Sequence, residues 1–246
     1  MTPPVKDQPG SKRGISVGVL VSGGVESAAL LSEALQRYER VYPIYVREGF
    51  IWEPGELYWL RKLLKAQASD GLADLTVLEA PMQTLYGKHW SLGKKKVPGF
   101  HAPDRAVYLP GRNLILLSFA GIFCALRRIS SLWIGILQGN PFHDARSGFL
   151  REMEGILHEG LDRSVRIASP FRELKKSEVL RRFPEVPWEL SFSCIHPIGR
   201  KHCGRCQKCA ERKSGFKTAG VSDPTQYVNK KGVRSMDLAP FRQRGT

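Results

Sequence analysis

Ile15-Ser16-Val17-Gly18-Val19-Leu20-Val21 breaks off at Ser22-Gly23-Gly24, and Val25-Glu26-Ser27-Ala28-Ala29 follows at once. A short β-branched run stopped by paired glycines reads as a buried parallel strand ending at its carboxyl edge. Ala28, Ala29, Leu31, Leu35 and Tyr38 then recur at helical spacing, with no proline until Pro43, which predicts a helix over 25–38. A strand that hands over to a helix through such a turn opens a βα unit. Backbone amides and the positive end of the helix dipole meet there, where an anion can sit.

The same alternation continues outward. A second strand is expected at 41–46 and a helix after Trp52-Glu53-Pro54, with Leu57, Leu60, Leu63 and Leu64 as its inward stripe. Strand three follows at 75–78. Residues 80–107 hold prolines, glycines and Lys94-Lys95-Lys96 without sustained periodicity, so they are expected to form a long excursion of the kind that often serves as a lid. A helix over 113–128, a strand at 132–137, a helix at 147–160, a strand at 165–168 and a helix at 175–183 complete the pattern, with Cys124 expected in the core. Repeated βα units predict an α/β fold with a doubly wound parallel sheet. No internal repeat is visible. The expected organisation is a disordered segment at 1–13, a nucleotide-type α/β domain at 14–185, a metal-binding segment at 186–226 and a basic tail at 227–246.

Bulk properties narrow the function classes. A chain of 246 residues suits one main core with an appendage, and 42% hydrophobic with 25% charged residues is ordinary for a globular protein. No apolar run approaches the roughly 18 residues of a spanning helix, and the polar, proline-bearing start lacks a secretory pattern, so no membrane partner and a cytoplasmic address are expected. The net charge of +15 points to anionic partners, either RNA or a substrate such as ATP, or to simple surface solvation.

Two motifs carry chemistry. In Ser22-Gly23-Gly24-Val25-Glu26-Ser27 the glycines let the backbone approach phosphate oxygens without a Cβ clash, and the Ser22 and Ser27 hydroxyls can donate further hydrogen bonds. No G-x-x-x-x-G-K-[ST] pattern is present, so the lysine-bearing phosphate loop of the common NTPases is excluded. The second motif is Cys194-x8-Cys203-x2-Cys206-x2-Cys209, whose four thiolates can close a tetrahedral zinc shell; a C-x-x-C redox centre is the competing reading. His196 and His202 lie inside the cluster and are expected to be bystanders, because four sulfurs already satisfy the ion.

SGGVES resembles the SGG-x-D-S signature of the PP-loop ATP pyrophosphatases (adenine nucleotide α-hydrolase-like). The segment Leu190-Ser191-Phe192-Ser193-Cys194 through His202-Cys203-Gly204-Arg205-Cys206-Gln207-Lys208-Cys209-Ala210-Glu211-Arg212 is similar to the zinc region of the 7-cyano-7-deazaguanine synthase family, QueC or ExsB. Tyr108-Leu109-Pro110-Gly111-Arg112-Asn113 matches that family's PGRN signature. Asp144-Ala145-Arg146 with Phe149 resembles its D-C-R-P-E-F element, and Pro170 with Lys176-Ser177-Glu178 its P…K-[AS]-E element. The resemblance runs from about Val17 to Phe216.

The resemblance implies conversion of 7-carboxy-7-deazaguanine and ammonia to the nitrile preQ0, through successive ATP activations that release AMP and pyrophosphate. It implies ATP, Mg2+ and Zn2+ as ligands and a homodimer as the assembly. Ser22, Gly23, Gly24, Glu26 and Ser27 are the expected ATP contacts, and Arg112, Arg146 and Lys176 the expected catalytic cations for phosphate or substrate carboxylate. Asp144 and Arg146 are the expected substrate contacts. Asp144 can read a guanine-like edge, or can equally cap a helix. Glu26 replaces the family's aspartate, and its extra methylene moves the carboxylate by ~1.5 Å; it is a candidate magnesium contact or simply an acid suited to a helix first turn. Ala145 and Ser147 replace Cys and Pro, and Arg47-Glu48-Gly49 stands where the family has Y-G-Q-x-H, which puts the acceptor in doubt. A PP-loop enzyme acting on another deazapurine or carboxylate, a tRNA-modifying PP-loop enzyme and a non-enzymatic RNA-binding module are the alternatives.

Overall fold

Val17, Val19 and Val21 alternate with Gly18 and Leu20, so one strand feeds two different cores. The computed structural model describes residues 13–93 and 95–228. Lys94 and most of the expected terminal segments, 1–12 and 229–246, lie outside the described residues. The strands are β1 (Arg13–Leu20), β2 (Tyr38–Arg47), β3 (Thr76–Glu79), β4 (Ser131–Trp133) and β5 (Arg166–Ala168). The helices are α1 (Val25–Arg37), α2 (Glu53–Ala66), the short α3 (Gln83–Tyr86), α4 (Arg112–Leu126), α5 (Ser147–Leu161), α6 (Lys176–Arg182) and α7 (Gln207–Ala219).

All four strand pairings are parallel, in the order β3-β2-β1-β4-β5. The chain winds outward from β1 to β3, then returns to the far side of β1 for β4 and β5. The carboxyl ends of β1 and β4 therefore flank the topological switch, where crevices open in such sheets. On one face Val17, Val19 and Val21 pack with α1, α2 and α6; on the other Leu20, Ile44 and Val46 pack with α4 and α5. Cys124 is fully buried on the second face, and burial pushes its thiol up to about 12, so it is inert packing as expected.

Three elements differ from the sequence pattern for identifiable reasons. α1 stops at Arg37 because Tyr38 already begins β2 with no intervening loop, its ring edge-on to Trp133 at 5.3 Å. β4 was expected to reach 137 but ends at Trp133. Just beyond, a Cβ on Gly135 would lie 3.2 Å from Glu26 Cβ, so the chain passes hard against the first turn of α1 instead of continuing in the sheet. α7 was not expected at all. Its inward residues are Gln207, Cys209, Arg212, Gly215, Phe216 and Ala219, which make no apolar stripe. Phe216 and Ala219 nevertheless join the core formed by Val179 and Leu180 of α6. Among the described residues no helix is long and apolar enough to cross a membrane.

Candidate active site and metal centre

The turn after β1 is shaped by its own small side chains. Gly23 has φ +79°, a left-handed conformation that costs a side-chain-bearing residue about 1 kcal/mol or more. Ser27 Oγ accepts from Ser22 N at 3.2 Å and donates to Gly24 O at 3.3 Å, while Ser22 Oγ accepts from Gly24 N at 3.3 Å. Gly24 is the N-cap of α1 and has no side chain to satisfy the free amides of the first turn, which are left for a ligand. The turn is also tethered from outside, because Phe192 N donates to Gly23 O at 2.6 Å.

This turn forms one end of a cleft of about 940 Å³ at the switch point. Ser22, Gly24, Glu26, Ser27, Arg112, Asp144 and Lys176 all line it, so residues spread over 155 positions of sequence meet in one place. Gly23 contributes backbone geometry. Arg146 is exposed and does not line the cleft; its backbone caps α5. The excursion at 80–107 contains α3 and two 3-10 turns, Trp90–Leu92 and Asp104–Val107. Trp90, Phe100 and Asp104 bring it onto the cleft wall. It is pinned to the start of α7, since Gln207 Nε2 donates to Asp104 Oδ1 at 2.7 Å and Gln207 N donates to Pro98 O at 3.0 Å.

At the phosphate-loop end Lys176 Nζ lies 2.7 Å from Glu26 Oε1 and also pairs with Glu211, whose other oxygen accepts from Lys208 Nζ at 2.6 Å. Burial alone would depress Lys176, but Glu26 and Glu211 outweigh it and hold the ammonium well above the ordinary lysine value. Burial likewise favours neutral Glu211, yet Lys176 and Lys208 prevail and pull it down to about 2. Lys176 and Glu211 are therefore both charged at neutral pH.

A second group of residues, around Arg112, is buried and acid-rich. Glu56 is 8% exposed, lines the cleft and accepts from Tyr45 Oη at 2.9 Å. Burial pushes its carboxyl up to about 8, against the pull of Arg112 and the tyrosine hydrogen bond. Glu48 is fully buried; Oε2 accepts from Arg112 Nε at 2.9 Å, and Oε1 has no hydrogen-bond partner among the described residues. Burial also raises Glu48 and Glu53, while Arg112 is held above the ordinary range, because Glu48 and Glu56 outweigh its desolvation. Glu53 is structural, accepting from Glu48 N at 2.6 Å and from Gly49 N at 3.0 Å. Asp144 Oδ2 accepts from Asn113 N at 3.1 Å, so one of its oxygens caps the first turn of α4 while the residue still lines the cleft. Trp52, Trp90, Tyr108, Phe142 and Phe192 add aromatic walls suited to a flat ring system.

Sequence reasoning did not single out Tyr45, Glu56, Lys208 or Glu211. The signal for Glu56 was present, since an acid on the Leu57/Leu60 stripe of α2 must be buried; Glu211 and Lys208 sit in a run that reads as ordinary surface.

The four cysteines of the cluster are buried, with Sγ atoms all within 4.8 Å of one another. Cys194–Cys206 and Cys203–Cys209 separations are 3.9 and 4.0 Å, close to the ~3.8 Å edge of a tetrahedron with ~2.3 Å metal–sulfur bonds. Cys203 N points to Cys194 Sγ at 3.3 Å and Arg205 N to Cys203 Sγ at 3.4 Å, amide dipoles that favour thiolate. The donor set fits a closed structural metal site with no open position. His202 is outside it: Nε2 accepts from Ser193 N at 3.1 Å, and burial with the nearby Arg212 lowers its imidazole to about 3.

Residues 16–220 match the family profile described as "Queuosine biosynthesis protein QueC". The chain is similar to the protein named 7-cyano-7-deazaguanine synthase from Anaeromyxobacter dehalogenans, 29% identical over 225 residues that cover 85% of this chain and 94% of that one. It is 33% identical to its namesake from Leptospira interrogans over 220 residues, 83% of this chain and 88% of that one. Against the namesake from Methanocaldococcus jannaschii the identity is 28% over 230 residues, 85% and 97% of the two chains.

Proposed function

Because this chain belongs to the QueC family, we propose that it makes 7-cyano-7-deazaguanine from 7-carboxy-7-deazaguanine and ammonia, cleaving ATP to AMP and pyrophosphate at each activation. The observation that carries the reading is the joining, in one cleft, of an anion-binding turn, a cation for the carboxylate and an aromatic-walled, acid-lined end for a base-like ring.

The chemistry divides along the cleft. A carboxylate is a poor electrophile, so its oxygen first attacks the α-phosphorus of ATP and pyrophosphate departs. Ammonia adds to the acyl adenylate, AMP leaves, and an amide results. The amide oxygen then attacks the α-phosphorus of a second ATP and displaces pyrophosphate; loss of both nitrogen protons and of AMP yields the nitrile. The turn at Ser22–Ser27 and Lys176 hold the departing pyrophosphate, and their fixed donors offset charge that grows as the bond breaks. Arg112 holds the substrate carboxylate. Asp144 and neutral Glu56 face the ring, where a carboxylate accepts and a carboxylic acid donates a hydrogen bond. Arg146, also expected to contact substrate, would have to approach from outside the cleft.

Glu26 is the group that would hold Mg2+, which when bound neutralises the phosphate oxygens. Zn2+ in the four-cysteine site would order 194–209 without taking part in chemistry. A cytoplasmic setting suits both ATP use and reduced thiols. A homodimer is part of the reading, supported by Leu114, Ile122 and Leu126, which leave one side of α4 apolar and exposed. Binding of tRNA rests on charge alone and is the weaker alternative.

The test is incubation with ATP, magnesium, ammonium and 7-carboxy-7-deazaguanine, with AMP and nitrile followed by mass spectrometry. Ser22→Ala removes a hydroxyl from the phosphate turn and should lower turnover about tenfold or more. AMP without nitrile would reject the named product, and ADP in place of AMP would reject the activation chemistry.

A further inference from the structure

The cysteine centre does more than order its own loop, because α7 grows out of it. Cys206 is the N-cap of α7 and Cys209 lies in its first turn. Lys208, Glu211 and Gly215 then follow at helical spacing on the side that lines the cleft. Glu211 Oε1 takes the Lys176 ammonium and Oε2 takes that of Lys208. One turn further on, a Cβ at Gly215 would lie 2.8 Å from Lys176 Cδ, so the aliphatic stem of the lysine lies along the bare backbone of α7. Lys176 is 13% exposed and is therefore placed by three separate contacts, Glu211, Gly215 and Glu26.

We infer that Glu211 is a positioning residue for the nucleotide site: it draws Lys176 and Lys208 together at the phosphate end of the cleft as a paired cation seat for the polyphosphate of ATP. This rests on the ATP-dependent reading given above. Two ammonium groups left to themselves repel, and a carboxylate between them removes that cost before any ligand arrives. Glu26 completes the arrangement from α1. Were Glu26 to hold a magnesium ion, Lys176 would lose one of its two acids and keep the other, so the ammonium would stay in place with its charge available to phosphate.

The readout is affinity for α,β-methylene ATP, measured by calorimetry on the metal-loaded protein, beside KM for ATP and kcat. Glu211→Gln should weaken analogue binding and raise KM about tenfold, with a smaller change in kcat. Glu211→Asp, which keeps the charge, should recover most of the loss. Gly215→Ala tests the stem contact without altering charge and should raise KM in the same direction; Lys208→Met should do so by about threefold. Cysteine-bound metal content and far-UV circular dichroism are recorded for each variant. If Glu211→Gln loses metal, the decision passes to Lys208→Met and Gly215→Ala. Wild-type affinity in both of these, or in Glu211→Gln with its metal intact, overturns the inference. Failure of the wild type itself to bind the analogue instead rejects the nucleotide reading.

Discussion

Two groups of charged residues at and behind the cleft wall handle their charges in opposite ways. At the phosphate end Glu26, Lys176, Glu211 and Lys208 form an alternating chain in which every acid touches an ammonium. In the second group Glu48 and Glu56 act on Arg112 while Glu53 holds the Glu48 amide, and burial raises all three carboxyls. The first arrangement suits a highly charged ligand, because its ion pairs can exchange partners. The second suits a base-like ring, because the Glu56 carboxyl, pushed up to about 8, keeps a proton to donate.

The largest expected break in that contrast comes at Arg112. Arg112→Met would leave fully buried Glu48 without its cation, and should destabilise the protein by about 3–5 kcal/mol in urea unfolding. A loss below about 1 kcal/mol would mean that Glu48 is already protonated in the native protein.

Next is the pH dependence contributed by Glu56. The unfolded carboxyl loses its proton near 4.5, whereas the folded one keeps it to about 8. The folded state therefore binds more protons in between, and this contribution to stability is complete below 4.5 and lost as pH rises through about 8. Glu56→Gln should flatten the fall by about 2–4 kcal/mol across that window, read as Tm against pH. An unchanged slope would place the proton elsewhere, with Tyr45, Glu53, Glu48 and Arg112 the groups that surround it.

The smallest stability effect belongs to the phosphate end. Lys208 is a third exposed, so Lys208→Met should change unfolding free energy by less than about 1 kcal/mol even where it weakens nucleotide binding. A larger loss would erase the distinction between an exchangeable ion chain and a structural one.

How much of this was legible in the sequence depended on whether the deciding contact was local. β1, the glycine turn and the stripe of α2 were readable, because strand alternation and helical spacing are properties of neighbouring residues. The early end of β4 was not, since it depends on how close Gly135 comes to Glu26, more than a hundred positions away. α7 was invisible because its buried face mixes Gln207, Cys209, Arg212 and Gly215 with only two apolar packing residues, Phe216 and Ala219. That arginine, Arg212, is fully buried and donates to Ser191 Oγ at 2.9 Å and Trp188 O at 2.9 Å, which no hydropathy pattern conveys. Within the site, Ser22, Glu26, Arg112, Asp144 and Lys176 were readable as motif residues and do share the cleft. Arg146 shared a motif with Asp144, yet a 3-10 turn over His143–Ala145 leaves it on the outside.

The bond from Phe192 N to Gly23 O joins the first loop of the chain to a segment close to its other end. During synthesis on the ribosome, nothing can pin that carbonyl until position 192 has left the exit tunnel. The nascent protein thus completes this turn only after residue 192 has emerged, and a product truncated before it carries the Ser22–Ser27 signature without the tether.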